Sequence, residues 1–331
     1  MGRHFLWRGV FAVVVLLLVT VVAFFIIELP PGDYVTDLVA RLRSSGAQVT
    51  LEMEAALRHQ YGVDRPVYVR YLLWMGKMIR GEMGLSYEWR RPVRDLIAER
   101  LPLSITISIL TLIVTYTIAI PIGIYSATRQ YSWGDYTATV LGYAGVSVPS
   151  FLLALVLMLV AQKWFGLSIG GLFTFDNKFA PWSWGKFLDL LTHLPIPLLV
   201  IGLSGTAGVI RVMRGVLLDE LQKQYVMTAR AKGVDEQRLL FKYPVRIALN
   251  PIVSTVSFIL PAIVSGETIV AIVMSLDTMG PLLFSALITQ DTFLAASGVM
   301  VLSFLTVLGA IVADALLVWV DPRIRLEGKT A

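Results

Sequence analysis

The sequence predicts an all-α integral membrane protein with six transmembrane helices, and three observations predict it. Of 331 residues, 56% are hydrophobic and only 15% charged, a balance that excludes a disordered chain and leaves too little charge to cover a water-soluble surface of this size. Six runs carry no charge: Gly9 to Ile27, Leu101 to Thr128, Tyr136 to Gln162, Leu190 to Ile210, Asn250 to Gly266 and Thr292 to Ala313. The last two continue past Glu267 to Leu276 and past Asp314 to Val320, so they too reach the roughly 20 residues a helix needs to cross about 30 Å of hydrocarbon. A closed barrel would require alternation over about ten residues, and the run Phe151 to Val160 does not alternate.

Taken in order, the first run follows Arg3 and Arg8 and exceeds the apolar stretch of a secretory signal. Glu28-Leu-Pro-Pro-Gly-Asp33 succeeds it in place of a small-x-small cleavage site, so it reads as a retained anchor over residues 1–28. Residues 29–100 are too long for a structureless connection and should form a mostly helical insertion. Within it Pro66 opens a helix whose Val67, Tyr71, Leu72, Met75 and Met78 fall at helical spacing down to Gly81 and Gly84, an amphipathic helix lying on the membrane or on a partner. Residues 101–331 hold the other five spans. Pro195 and Pro197 predict a kink or a loosened start in the fourth.

Between the fourth and fifth spans, residues 211–250 are rich in Lys and Arg. A helical segment is expected to run to Lys232, stop at Gly233 as a left-handed cap, and restart with Asp235 as N-cap. Such a helix-glycine-helix hairpin suits a surface that receives force from a soluble partner; a merely solvated basic loop is the alternative.

Orientation follows from the basic residues of short loops. With the N-terminus inside, the inner segments hold 14 Lys and Arg, against three in the short outer loops, Lys163, Lys178 and Lys186. The 29–100 insertion is set aside, since segments beyond about 60 residues translocate largely regardless of charge. Both termini are therefore expected in the cytoplasm and the insertion outside it. The absence of cysteine removes disulfides, thiolate metal sites and cysteine nucleophiles.

Four stretches carry more than geometry. Tyr225-Val-Met-Thr-Ala-Arg-Ala-Lys-Gly233 with the following Val-Asp-Glu resembles the cytoplasmic coupling motif of ABC importer permeases, in the form typical of the dipeptide/oligopeptide family. Leu29-Pro-Pro-Gly-Asp33, the pair Tyr61-Gly-Val-Asp-Arg-Pro66 and Gly81-Glu-Met-Gly-Leu-Ser-Tyr87, and Asp321-Pro-Arg-Ile-Arg325 are similar, in order and spacing, to the B-type permease subunit of that family. The similarity covers nearly the whole chain.

The resemblance implies a subunit of an ATP-driven importer of oligopeptides or dipeptides in a bacterial or archaeal cytoplasmic (inner) membrane. Its implied partners are a second permease, two ATP-binding subunits and an extracytoplasmic substrate-binding protein, with no nucleic acid among them. The chain lacks G-x-x-x-x-G-K-[ST], so it is expected to be no enzyme and to carry no cofactor, ATP and Mg being bound by the partner ATPases. By the same resemblance Tyr225, Thr228, Ala229, Arg230, Ala231, Lys232, Gly233 and Asp235 form the ATPase-coupling surface. The small residues permit close approach, and Arg230 and Lys232 offer donors.

This chain departs from the family pattern in three places. Met227 stands where the general motif has Glu, Pro244 breaks the second inner helix early, and Met274-Ser-Leu-Asp-Thr-Met-Gly280 replaces a sequence usually read as Phe-Ser-Trp-Pro-Gly-Leu-Gly.

Glu267 and Ser204 are the candidate residues of the translocation path. A charge inside a span costs about 2.5 to 3.5 kcal/mol unless it meets water or a partner, so Glu267 either lines the cavity or pairs structurally. Ser204, Gly205 and Gly208 would also let a neighbouring helix pack closely.

Three other readings stand beside this one. Oligosaccharide is the second substrate of the same permease type. An intramembrane hydrolase could use Gly202-Leu-Ser-Gly205 or Gly166-Leu-Ser-Ile-Gly170, but of the three histidines only His193 lies near the spans, eleven residues from Ser204 and about 16 Å along a helix. An ion-coupled secondary transporter would need an internal repeat, and the two halves show none.

Overall fold

The computed structural model describes residues 2–166, 170–266 and 268–320. Among the described residues the chain is all-α; the one extended pairing is the isolated antiparallel bridge between Leu85 and Pro92. In chain order the helices are α1 Gly2–Ile27, α2 Tyr34–Ser44, α3 Leu51–Tyr61, α4 Val67–Ile79, α5 Val93–Thr128, α6 Trp133–Ser147, α7 Ser150–Phe165, α8 Phe175–Lys178, α9 Trp184–His193 and α10 Pro195–Leu221. They continue as α11 Gln224–Ala231, α12 Glu236–Lys242, α13 Pro244–Gly266, α14 Thr268–Val273, α15 Met279–Ile288 and α16 Thr292–Val320. Among the described residues, four stretches are long and apolar enough to cross a membrane: Val10–Ile27, Val93–Thr128, Trp184–Leu203 and Thr292–Leu317.

Two expectations change. The third apolar run is two helices, not one. Helix α6 ends at Ser147 and α7 restarts after Pro149, because proline has no N–H to donate and pushes the residue before it out of the helical region. The helix expected to run unbroken to Lys232 stops at Leu221, with Lys223 in extended backbone (φ −70°, ψ 148°) before α11 begins. The prolines of the fourth run behave as a helix start: Pro195 opens α10, and the joint with α9 is the single residue Leu194.

The chain divides into two units, 1–104 with 277–305, and 105–276 with 306–331. In the first unit, α4 packs against α1 through Phe24, Trp74 and Ala296, all buried, with Val67, Tyr71, Met75 and Met78 around them. Helix α4 therefore lays its apolar stripe on this unit's own helices. Leu72, expected in that stripe, is 64% exposed, and Trp74, one helical turn beyond Arg70, takes the central place at 1%. The ring of Trp74 lies 5.6 Å from that of Phe24 and its Nε1–H donates to the Ser297 hydroxyl at 3.3 Å. An indole buried this fully finds a partner for its N–H.

The motifs quoted from residues 29–87 turn out to be backbone devices of this unit. Gly32 (φ +105°) turns the chain so that Asp33 caps α2, accepting from the Thr36 amide at 2.8 Å. Gly62 (φ +67°) ends α3 in the left-handed conformation, which glycine adopts without a Cβ penalty. Pro66 precedes the first turn of α4. Polar pairs join distant segments: Arg70 to Glu28 at 2.6 Å and Arg100 to Asp277.

In the second unit, α10 is the common neighbour of α6, α7 and α13. Met213, Leu217, Val245, Ala248 and Ile252 form a buried cluster with Ala127. Glycines set how near the helices come. A Cβ on Gly202 would stand 3.2 Å from Thr115 Oγ1 and one on Gly205 3.7 Å from Thr115 Cγ2. Close packing thus occurs at Gly202 and Gly205, while Gly208, also expected there, faces open space.

Candidate functional site: the helix-glycine-helix hairpin

Between Leu221 and Pro244 the chain folds into a compact hairpin of two short helices. Helix α11 ends because Gly233 takes φ +77°, and the turn closes as a Schellman-type cap: the Gly233 amide donates to Arg230 O at 3.0 Å and the Val234 amide to Ala229 O at 3.3 Å. Asp235 then caps α12 by accepting from the Arg238 amide at 3.2 Å, which satisfies one of the orphan donors of the first turn. Both local expectations at this turn hold.

Two apolar residues anchor the hairpin. Val226 on α11 and Leu239 on α12 are completely buried, and α12 packs on α13. Tyr225 donates from its hydroxyl to Glu220 Oε2 at 2.5 Å, tying α11 back to the last turn of α10. Its ring meets that of Tyr243 edge-on at 6.5 Å. Pro244 supplies the first residue of α13 instead of breaking a longer α12, a position where its missing N–H costs nothing.

Across the glycine, Arg230 and Glu236 form a two-pronged ion pair, with Nε to Oε2 at 3.1 Å and a second contact from Nη2 to Oε1. The hydrogen bond from Arg230 holds the Glu236 carboxyl below its usual value. Both side chains are exposed, so the pair adds shape more than stability. The Arg230 fork is therefore engaged within the hairpin. Thr228 donates its hydroxyl to Gln224 O at 2.8 Å, Ala229 is half-buried, and Ala231, Lys232 and Gly233 are exposed along the turn. Sequence reasoning missed Glu236 and Glu220 as partners and Val226 and Leu239 as anchors.

The two residues expected in the translocation path fare differently. Ser204 is part of α10, but its side chain lies outside the described residues, and Glu267 lies outside them altogether, as does Asp321-Pro-Arg-Ile-Arg325. His193 is occupied on its own helix, with Nδ1 2.8 Å from Asp189 O. Among the described residues no group of histidine and carboxylate side chains could hold a metal ion.

Comparison with known proteins gives a consistent picture. Residues 119–326 match the family described as binding-protein-dependent transport system inner membrane component, and residues 1–109 match the N-terminal component of such systems. The chain is similar to the oligopeptide transport system permease protein AppB of Bacillus subtilis, 31% identical over 329 residues covering 98% of this chain and 99% of that one. It is 33% identical to a putative peptide permease protein of Brucella ovis over 330 residues, 98% of this chain and 100% of the relative. Among solved structures, the inward-facing MetNI methionine ABC transporter covers 68% of this chain and 96% of its own, with a TM-score of 0.52 at 15% identity, a likeness of fold.

Proposed function

Because this chain belongs to the family of inner membrane components of binding-protein-dependent transport systems, we propose that it forms one half of the translocation path of an ATP-driven peptide importer and that its hairpin receives the work of ATP hydrolysis. It is a multi-pass protein of the inner membrane and a transporter component. Peptide as substrate rests on the printed names of the two relatives. ATP and Mg would bind to two partner ATPase subunits, a second permease would complete the path, and a binding protein would deliver substrate from outside. The six uncharged runs support six spans, and the charge of the short loops supports cytoplasmic termini and an extracytoplasmic position for residues 29–100.

The observation that carries the coupling role is the anchoring of the hairpin. Val226 and Leu239 are buried and α11 and α12 lie directly between α10 and α13. A short, internally clasped element of this kind moves as a body, so displacement by a partner would tilt α10 and α13 and alternate access to a central path. The contact would be made by the exposed residues around the turn, Ala231, Lys232 and Gly233, with Tyr225, Thr228, Ala229, Arg230 and Asp235 holding its shape. Ser204 on α10 and Glu267 on the fifth span are placed in the path by this reading.

The test is ATP hydrolysis by the complex in lipid, assembled with the second permease, the ATPases and the binding protein, with and without panels of short peptides and oligosaccharides. Stimulation by peptides supports the reading. Stimulation by oligosaccharides alone would replace the substrate, and transport that persists without the ATPases would replace the mechanism.

A further inference from the structure

An open pocket of about 900 Å³ lies within the first unit, walled by apolar residues that include Leu57, Leu73, Leu85 and Phe293. His59, Arg65, Arg70, Lys77 and Arg90 also line it, and no aspartate or glutamate does. Several other arginines of the same segment are neutralised by a carboxylate: Arg41 pairs with Glu88, Arg58 with Asp33 and Arg91 with Glu99. Arg70, at 6% exposure, is engaged as well, donating to Glu28 at 2.6 Å and to Thr292 at 3.2 Å. Arg65, Lys77 and Arg90 are exposed and, among the described residues, their side chains make no ion pair or hydrogen bond.

Arg90 is held there by an unusual backbone. The segment from Gly84 to Val93 doubles back through Ser86 N–H to Arg91 O at 3.0 Å and Arg90 N–H to Ser86 O at 3.1 Å. Arg90 itself takes φ +51°, a left-handed conformation costly for a residue with a Cβ and best suited to glycine. The chain thus carries a cation where the backbone alone would favour no side chain.

Three uncompensated cations call for an anion, and walls of leucine and phenylalanine call for an apolar group beside it. A small inorganic anion would leave the walls wet. The volume is that of a small-ligand site, large enough for the end of a short peptide. Resting on the importer reading for the choice of a peptide over other amphiphilic anions, we propose that this pocket binds the C-terminal residue of a short apolar peptide, with the carboxylate drawn in by the joint positive field of Arg65, Lys77 and Arg90. A cationic donor on a carboxylate gives a charge-assisted hydrogen bond that a neutral amide cannot replace.

The proposal is tested with the full complex in nanodiscs, without binding protein, by fluorescence anisotropy of a labelled Ala-Phe-Leu tripeptide and of its C-terminal amide. The free acid should bind about tenfold tighter than the amide, and added salt should narrow the gap. The double variant Arg65→Gln with Lys77→Gln should remove most of that preference. So should Arg90→Gly, which suits the left-handed backbone and so keeps the fold. Equal binding of acid and amide, a preference that survives both variants, or laurate binding where the tripeptide does not would each overturn the proposal. Peptide uptake by the wild-type complex with its binding protein is measured alongside. Normal uptake without acid preference sinks the pocket alone, whereas acid preference without ATP-driven uptake sinks the importer reading and leaves the pocket standing.

Discussion

The Ser86 hydroxyl donates a 2.6 Å hydrogen bond to the carboxylate of Asp291, 205 positions further along the chain. Asp291 is completely buried and also accepts from the amides of Glu88 and Leu294, each at 3.2 Å. It fastens the turn that carries Arg90 to the start of α16. Burial pushes the Asp291 carboxyl up, and the Ser86 hydroxyl and the two amides oppose that rise. Ser86→Ala should therefore cost about 1–3 kcal/mol of stability, the penalty for withdrawing a partner from a buried group. The cost should be greater at pH 7.5 than at pH 4, because the lost bond favours the charged form. Thermal unfolding of the detergent-solubilised protein at the two pH values checks this; a cost that does not change with pH would show that the hydroxyl does not bind the ionised carboxyl.

A second carboxyl, in a different place, has its pKa shifted the other way. Asp33 is partly buried, which alone would raise its pKa, but hydrogen bonds from the Thr36 amide and hydroxyl and the Arg58 guanidinium hold it below the usual carboxylate value. A carboxyl whose pKa is depressed by folding contributes stability that is present above its unfolded value, about 3.9. That contribution is lost as pH falls through the folded one. The first turn of α2 should accordingly loosen between pH 5 and pH 3. Hydrogen exchange at the Thr36 amide, corrected for its intrinsic rate, should accelerate over that range. Asp33→Asn, which can still cap the helix but not pair with Arg58, should flatten the dependence.

At Gly233 strain and contact can be separated. A Cβ there meets nothing within 4 Å, so inside this chain a side chain costs only the left-handed backbone at φ +77°, about 1–2 kcal/mol. Asparagine tolerates that conformation better than alanine, and thermal stability should fall in the order Gly, Asn, Ala. The ATPase contact imposes a different order, by size. Gly233→Trp should insert into the membrane normally yet lose at least about tenfold of substrate-stimulated ATP hydrolysis, and Gly233→Asn should lie between. Stimulation that tracked stability instead of side-chain volume would mean that the partner does not approach this turn.

These residues also show what sequence reasoning could reach. Gly233, Asp235 and Pro66 were legible because a left-handed cap, an N-cap and a helix start are decided by a few neighbouring residues. Pro149 was overlooked inside an apolar run, since hydropathy counts it as tolerable while its missing N–H splits the run into α6 and α7. The break at Gln222 and Lys223 carries neither glycine nor proline, and α15 lies where only a departure from a family pattern was noted. Least legible were pairs such as Ser86 with Asp291 and Arg70 with Glu28. Nothing local marks a carboxylate whose partner lies 205 or 42 residues away, nor that Arg65, Lys77 and Arg90, up to 25 positions apart, line one pocket.

A close approach between α5 and α10 supplies the last test. A Cβ built on Gly123 of α5 would stand 2.6 Å from the Cβ of Met213 on α10 and 3.2 Å from the carbonyl oxygen of Ile210. Neither atom can swing aside as the end of a flexible side chain would, so Gly123→Ala must push the two helices apart. That strains the cluster that Met213 and Leu217, on the helix leading into the hairpin, form with Ile252 of α13. Such overpacking costs about 1–3 kcal/mol, although the same substitution in an unconstrained helix would gain from alanine's higher propensity. Met213→Gly removes the clashing atom at its own cost in lost packing. The double variant should therefore be more stable than the sum of the single effects predicts, with a coupling of at least about 0.5 kcal/mol. Thermal unfolding of the four proteins measures it. Additive effects would mean that α5 and α10 do not meet at this pair.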